Sequence, residues 1–145
     1  MSLCVSAKGP QGKDAVEVAA VDMGPYQLLH SIKVTISRHL EDNVWGSRFP
    51  LLMNSSDTEA RYGPGEVSKL LAELESIVEG LERLPPSLVE RGSDSLPGEV
   101  PQQLRNPSAL GLADYFLTVD GQSALRALLE LCRLADAHRL AIAFT

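Results

Sequence analysis

The sequence is short of cysteine, aromatic residues, positive charge and long apolar runs, and it lacks any metal-binding motif. Each shortage removes a class of function. Only Cys4 and Cys132 are present, far apart and outside any CxxC pair, so no disulfide framework or thiolate zinc site is expected. Both read as small buried hydrophobes, Cys4 on a strand and Cys132 on the apolar side of a helix. The three histidines, His30, His39 and His138, fall in no HExxH or other ligand spacing, so neither a metal nor another cofactor is expected. No GxSxG elbow announces a nucleophile. No apolar stretch approaches the roughly 20 residues of a membrane span. Met1 to Ala7 lacks the charged start and long apolar run of a leader peptide, which sets a cytoplasmic expectation. Lysine and arginine total 13 against 19 aspartates and glutamates, a net charge of −6. That speaks against direct nucleic-acid binding, which needs a basic patch to neutralise phosphates. It suits either plain solubility or a basic protein partner, because complementary charge speeds encounter.

What the chain does have is 145 residues, 44% of them hydrophobic, enough for a single domain with its own core over residues 1–145. Its clearest element runs from Gly63 to Pro86. Val67, Leu70, Leu71, Leu74, Ile77, Val78, Leu81 and Leu84 recur at steps of three and four, as one side of a helix requires. Pro64 suits the first helical position, Glu66 favours the positive end of the helix dipole, and Pro85 and Pro86 stop the helix. The opposite face carries Glu73, Glu75, Glu79 and Glu82.

Around this spine the remaining elements read in order. Leu3, Val5 and Ala7 alternate, Lys8 to Lys13 supplies turn residues, and Ala15 to Val21 answers as the second arm of a β-hairpin. Tyr26 to Leu40 fits a helix through Leu29, Ile32, Ile36 and Leu40, while Ile32, Val34 and Ile36 also alternate as a strand would; the unbroken length decides for helix. Phe49, Leu51, Leu52 and Met53 are too apolar for a free loop and read as a short strand or irregular extended segment. Leu88 to Ser108, with Pro97, Pro101, Pro107, Gly92 and Gly98, is a long excursion. The last forty residues read as a strand at Tyr115–Val119, a helix capped by Asp120 or Ser123, and a strand at Leu140–Phe144. So tight a unit implies a parallel pair with a right-handed crossover. The expected architecture is α+β, a mixed sheet of about four strands with about three helices packed on it.

Two groups of residues are candidate partner contacts. Glu75, Glu79 and Glu82 follow a three-to-four spacing and project side by side, where like charges repel; they make either a solvated face or an acidic patch held for a basic partner. Trp45 and Arg48 are the residue types that anchor interfaces, although Phe49 and Trp45 could equally pin the connection to the core. Gly63-Pro64-Gly65 is a tight turn, with Glu66 placed to repel a phosphate, and Asp120-Gly121 is a helix start. No set of residues forms a catalytic constellation.

Ser47-Arg48-Phe49-Pro50, the proline-started acidic helix ending in Leu84-Pro85-Pro86, the Phe116-Leu117-Thr118-Val119-Asp120-Gly121 stretch, Leu128 to Ala135 and the terminal strand together resemble the Imm70 group of bacterial immunity proteins. The resemblance spans the first hairpin to Phe144 and is weakest over Leu88 to Pro107. It implies a small acidic protein without catalytic residues that neutralises a cognate toxin by stoichiometric binding, covering its active site or an adjacent surface. Toxins that attack nucleic acid present basic surfaces, which an acidic inhibitor can mimic phosphates to fill. The alternative is a small-molecule-binding or regulatory domain, homodimeric in one version, with the Leu88–Pro107 loop covering a pocket; an enzyme assembled from distant segments ranks third.

Overall fold

The computed structural model describes residues 2–9, 17–56, 59–85, 106, 108–118 and 120–145. The chain runs β1 (Ser2–Lys8), β2 (Glu17–Pro25), α1 (Tyr26–Leu40), α2 (Pro50–Met53), β3 (Ala60–Tyr62), α3 (Pro64–Glu82), a 3-10 turn (Leu112–Asp114), α4 (Ala124–Ala137) and β4 (Ala141–Phe144). The sheet has the order β2-β1-β4-β3, and every pairing is antiparallel. Helices α3 and α4 pack on each other and against the sheet, and α1 packs against β2 and α3. The class is therefore α+β, with four strands and three long helices among the described residues.

Alternation along β1 decides which face of the sheet is inward. Leu3, Val5 and Ala7 are buried, as every second residue of a strand shares a face. The register sets Val5 against Val21 on one side and Phe144 on the other. Phe144 in turn meets Tyr62 edge-on, with ring centroids 5.6 Å apart. The spine helix then lays Val67, Leu70, Leu74, Ile77, Val78 and Leu81 into this core. Pro64 occupies its first turn, and Glu66 Oε1 accepts the Gly63 N–H at 3.2 Å, satisfying a donor that the helix start would leave open. At Gly80 a side chain would bring Cβ to 2.8 Å of Leu40 Cδ2, so any larger residue there has to push the Leu40 side chain aside.

Several sequence expectations change. Tyr115–Thr118 is not one of the four sheet strands: it follows the 3-10 turn and holds isolated bridge positions at Phe116 and Leu117, the latter paired with Ser123; Val119 lies outside the described residues. The closing strand pairs antiparallel with β1 and β3, so the parallel crossover is replaced by an all-antiparallel sheet among the described residues. Tyr115, Phe116 and Thr118 are buried, which explains their strand-like composition without a ladder. Phe49–Met53 folds as Phe49 leading into helix α2 rather than as an extended segment. The three-residue strand β3 had no sequence signal of its own. The second hairpin arm extends through Gly24 and Pro25. Ser123 is the residue that caps α4, its Oγ accepting the Arg126 N–H at 3.4 Å. Cys132 is buried, its thiol pushed up to about 12 by desolvation, whereas Cys4 is half-buried. Most of the Leu88–Ser108 excursion lies outside the described residues.

Candidate functional site

Helix α4 carries two faces. Leu125, Leu128, Leu129, Leu131, Cys132 and Ala135 are buried, while Arg126, Glu130 and Arg133 recur at steps of four and three on the other side. This polar stripe faces the one on α3. Glu75, Val78, Glu79 and Glu82 of α3 and Arg126, Leu129, Glu130 and Arg133 of α4 line a groove of about 290 Å³ between the helices. Its floor is apolar, through Val78 and Leu129, and its walls are charged.

The three predicted glutamates thus share one groove, in different states. Glu82 pairs across the groove with Arg126, Nη2 to Oε1 at 2.5 Å. Arg126 also donates to both carboxylate oxygens of Asp114, at 2.6 and 3.1 Å, a fork geometry that fixes its guanidinium. Glu79 pairs with Arg83 one turn on at 2.9 Å, and Glu130 with Arg133 at 2.7 Å. Among the described residues Glu75 makes no ion pair. Four carboxylates and two guanidiniums line the groove, which is acidic in balance. These exposed pairs contribute little to stability, so their arrangement is a property of the surface more than of the fold.

The groove's titration has a definite sign. The Arg126 hydrogen bonds hold the Asp114 carboxyl below its ordinary 3.8, against an opposing desolvation effect. A lowered folded-state value stabilises the fold above the ordinary pKa, and that contribution is lost as pH falls through the lowered one. Because both side chains are more than a third exposed, the effect is at most about 1 kcal/mol. Asp114→Asn should flatten the stability–pH curve below about pH 4 in urea titrations. Glu73 acts in the opposite sense: burial raises its carboxyl above 4.5, although the Leu52 and Leu51 N–H groups work against this. Its contribution favours the fold at low pH and fades as pH rises through the raised value.

Glu73 also departs from the acidic face on which the sequence placed it. Its two oxygens accept the Leu51 and Leu52 N–H groups, each at 3.1 Å, at the start of α2, where the unpaired donors of a helix sit. Residues two apart on a helix point about 200° apart, so Glu73 and Gly80 face α2 and α1 while Glu75 and Glu82 face α4. Trp45 and Arg48 belong to that far side. Trp45 donates from Nε1 to the Met53 carbonyl at 2.7 Å and lies 6.1 Å from the His30 ring. Arg48 donates to the Leu40 carbonyl at 3.0 Å and sits 5.0 Å from the Phe49 ring centre, with Phe49 buried as a pin. Trp45 stays 43% exposed beside Val44 at 60%, so the segment 42–49 presents an apolar tip. The structure does not bring this tip together with the glutamate groove.

Three buried or half-buried charges escaped sequence reading. Glu41 is 2% exposed and accepts three backbone N–H groups, from Gly46, Arg48 and Phe49. Lys33 is fully buried and donates to Ser55 O at 2.7 Å and Ser55 Oγ at 3.1 Å. Arg126 could have been suspected from the Arg126-Glu130-Arg133 stripe. Among the described residues no three His, Cys, Asp or Glu side chains gather as a metal site would require, and no helix is long and apolar enough to cross a membrane.

Residues 15–144 match the family model described as Immunity protein 70 (Imm70). No match was found among curated proteins or among solved structures.

Proposed function

The chain belongs to the immunity protein 70 family, and from that premise we propose that it neutralises a cognate bacterial toxin by direct stoichiometric binding rather than by catalysis. The observation that carries the reading is the convergence of Glu75, Glu79 and Glu82 with Glu130 on one groove. Its excess of carboxylates suits a lysine- or arginine-bearing surface on the toxin. The proposed complex forms in the cytoplasm and needs no cofactor. The exposed Val44–Trp45 tip with Arg48 is a second candidate contact, on the other side of α3.

Co-expression with the product of the neighbouring upstream gene tests the proposal, read as growth rescue and as a one-to-one complex in solution; a neighbouring gene without a toxin-like domain counts against it. Growth arrest despite co-expression, with no complex formed, overturns it. Glu75→Lys combined with Glu79→Lys localises the contact. Both residues are exposed, so each change should alter stability by less than about 0.5 kcal/mol. Affinity should fall roughly tenfold or more at low salt. Glu82 is left in place because it holds Arg126. Unchanged affinity removes the groove from the mechanism.

A further inference from the structure

A second groove opens on the other side of α4. Ala19, Ala20 and Val21 of β2 and Ser123, Arg126, Ala127, Glu130, Leu131 and Leu134 around α4 border an open space of about 510 Å³, mostly against apolar atoms. Successive strand residues point to opposite faces, so a wall made of three in a row is the strand's own backbone edge. β2 is the terminal strand of the sheet, with β1 as its neighbour on one side. Among the described residues its other edge carries no partner strand. An edge of this kind is a template for another chain, and here an apolar slot runs beside it.

We infer that this slot receives an extended segment of the toxin, which adds to the sheet along Ala19–Val21 and turns an apolar side chain onto Ala127, Leu131 and Leu134. The inference rests on the toxin-binding reading above. Arg126 and Glu130 line both grooves, so one partner lying over α4 reaches the slot and the acidic groove together. Arg126 is engaged by both Asp114 and Glu82, and Glu130 by Arg133, so the shared rim keeps an excess of one carboxylate and selects a segment with a basic residue beside its apolar one. A second copy of this chain fits poorly, because each copy carries a net charge of −6 and would set acidic rims against each other. The open shape also distinguishes the slot from the enclosed pockets that bury most of a small ligand. Backbone pairing would supply affinity, and the slot would supply selectivity for the apolar side chain.

Hydrogen exchange of the wild-type protein with and without the toxin domain tests this without any substitution. The expected result is slowed exchange at Ala19–Val21 in the complex. Ala127→Trp, which fills the slot from a half-exposed helix position, should weaken binding at least tenfold; Ala127→Leu is the milder companion if the larger side chain lowers stability. Toxin binding with unprotected β2 amides overturns the inference and leaves the groove reading intact. Binding that is insensitive to both Ala127 variants does the same. Protection of β2 that appears without toxin as protein concentration rises, or on addition of a small molecule alone, also overturns it. Absence of any complex, in growth or in solution, removes both readings at once.

Discussion

Replacing Glu41 with alanine lowers stability by about 2–4 kcal/mol, as the loss of the partner of one buried and two part-buried donors requires. Glu41 closes α1 and turns its carboxylate inward, where Oε1 accepts the Gly46 N–H at 3.1 Å and Oε2 accepts those of Arg48 and Phe49 at 3.0 Å. Alanine leaves these three donors without their acceptor, and an unsatisfied buried donor costs about 1–3 kcal/mol. The segment is also wound tightly: Asp42 and Asn43 hold φ of 50° and 65°, and Gly46 holds 77°. Non-glycine residues in that region cost on the order of 1 kcal/mol each, and the carboxylate offsets this cost. Water entering the vacated space recovers part of the loss, which keeps the sum below a simple addition. The melting temperature should fall by on the order of 10 °C. Emission of the single tryptophan, Trp45, should shift to the red as its Met53 hydrogen bond loosens. Glu41→Gln retains one acceptor oxygen and should lose less. A change under about 1 kcal/mol in Glu41→Ala would mean that solvent substitutes for the carboxylate. The variant also separates function from fold: if Trp45 contacts the toxin, affinity falls at temperatures where the variant remains folded.

Glu41 shows where sequence reading stopped. The rule that charged residues face solvent is sound on average, and it placed Glu75, Glu79 and Glu82 correctly on an outer face. It failed for Glu41, Glu73 and Lys33, because each of these is held by backbone groups of a distant or irregular segment that carries no signature. The spine was legible because a stripe of eight apolar residues and a flanking proline act within one local period. Tyr115–Thr118 reads as a sheet strand because aromatic and β-branched residues signal burial, which Tyr115, Phe116 and Thr118 do achieve, and burial alone does not place a segment in the main sheet. Strand β3 is three residues long and exists through its pairing with β4, a contact between segments some eighty residues apart. The glutamates' own spacing announced one wall of the acidic groove. The other wall, on α4, required knowing that α3 and α4 are neighbours.

Leu74→Ala should cost about 2–5 kcal/mol, through lost burial and the cavity left behind. Leu74 is fully buried at the middle of α3, the helix that contacts α1, α2, α4, β3 and β4, so little of the surrounding structure is free to collapse into the space. Alanine is the better helix former, which excludes weaker helix propensity as the cause. Against a total stability of about 5–15 kcal/mol, a loss of this size removes a large share of the margin, and thermal or urea unfolding would register it directly. The change leaves Glu75, Glu79 and Glu82 on the same helix with the same spacing. Toxin affinity measured well below the melting temperature should therefore stay within a fewfold of wild type, the reverse of the outcome expected for the Glu75→Lys and Glu79→Lys pair. If Leu74→Ala abolished binding while still fully folded, the contact would depend on the inner side of α3 and the groove would not be the site. If it unfolded no more easily than wild type, Leu74 would not be part of the core that fixes α3 against the sheet.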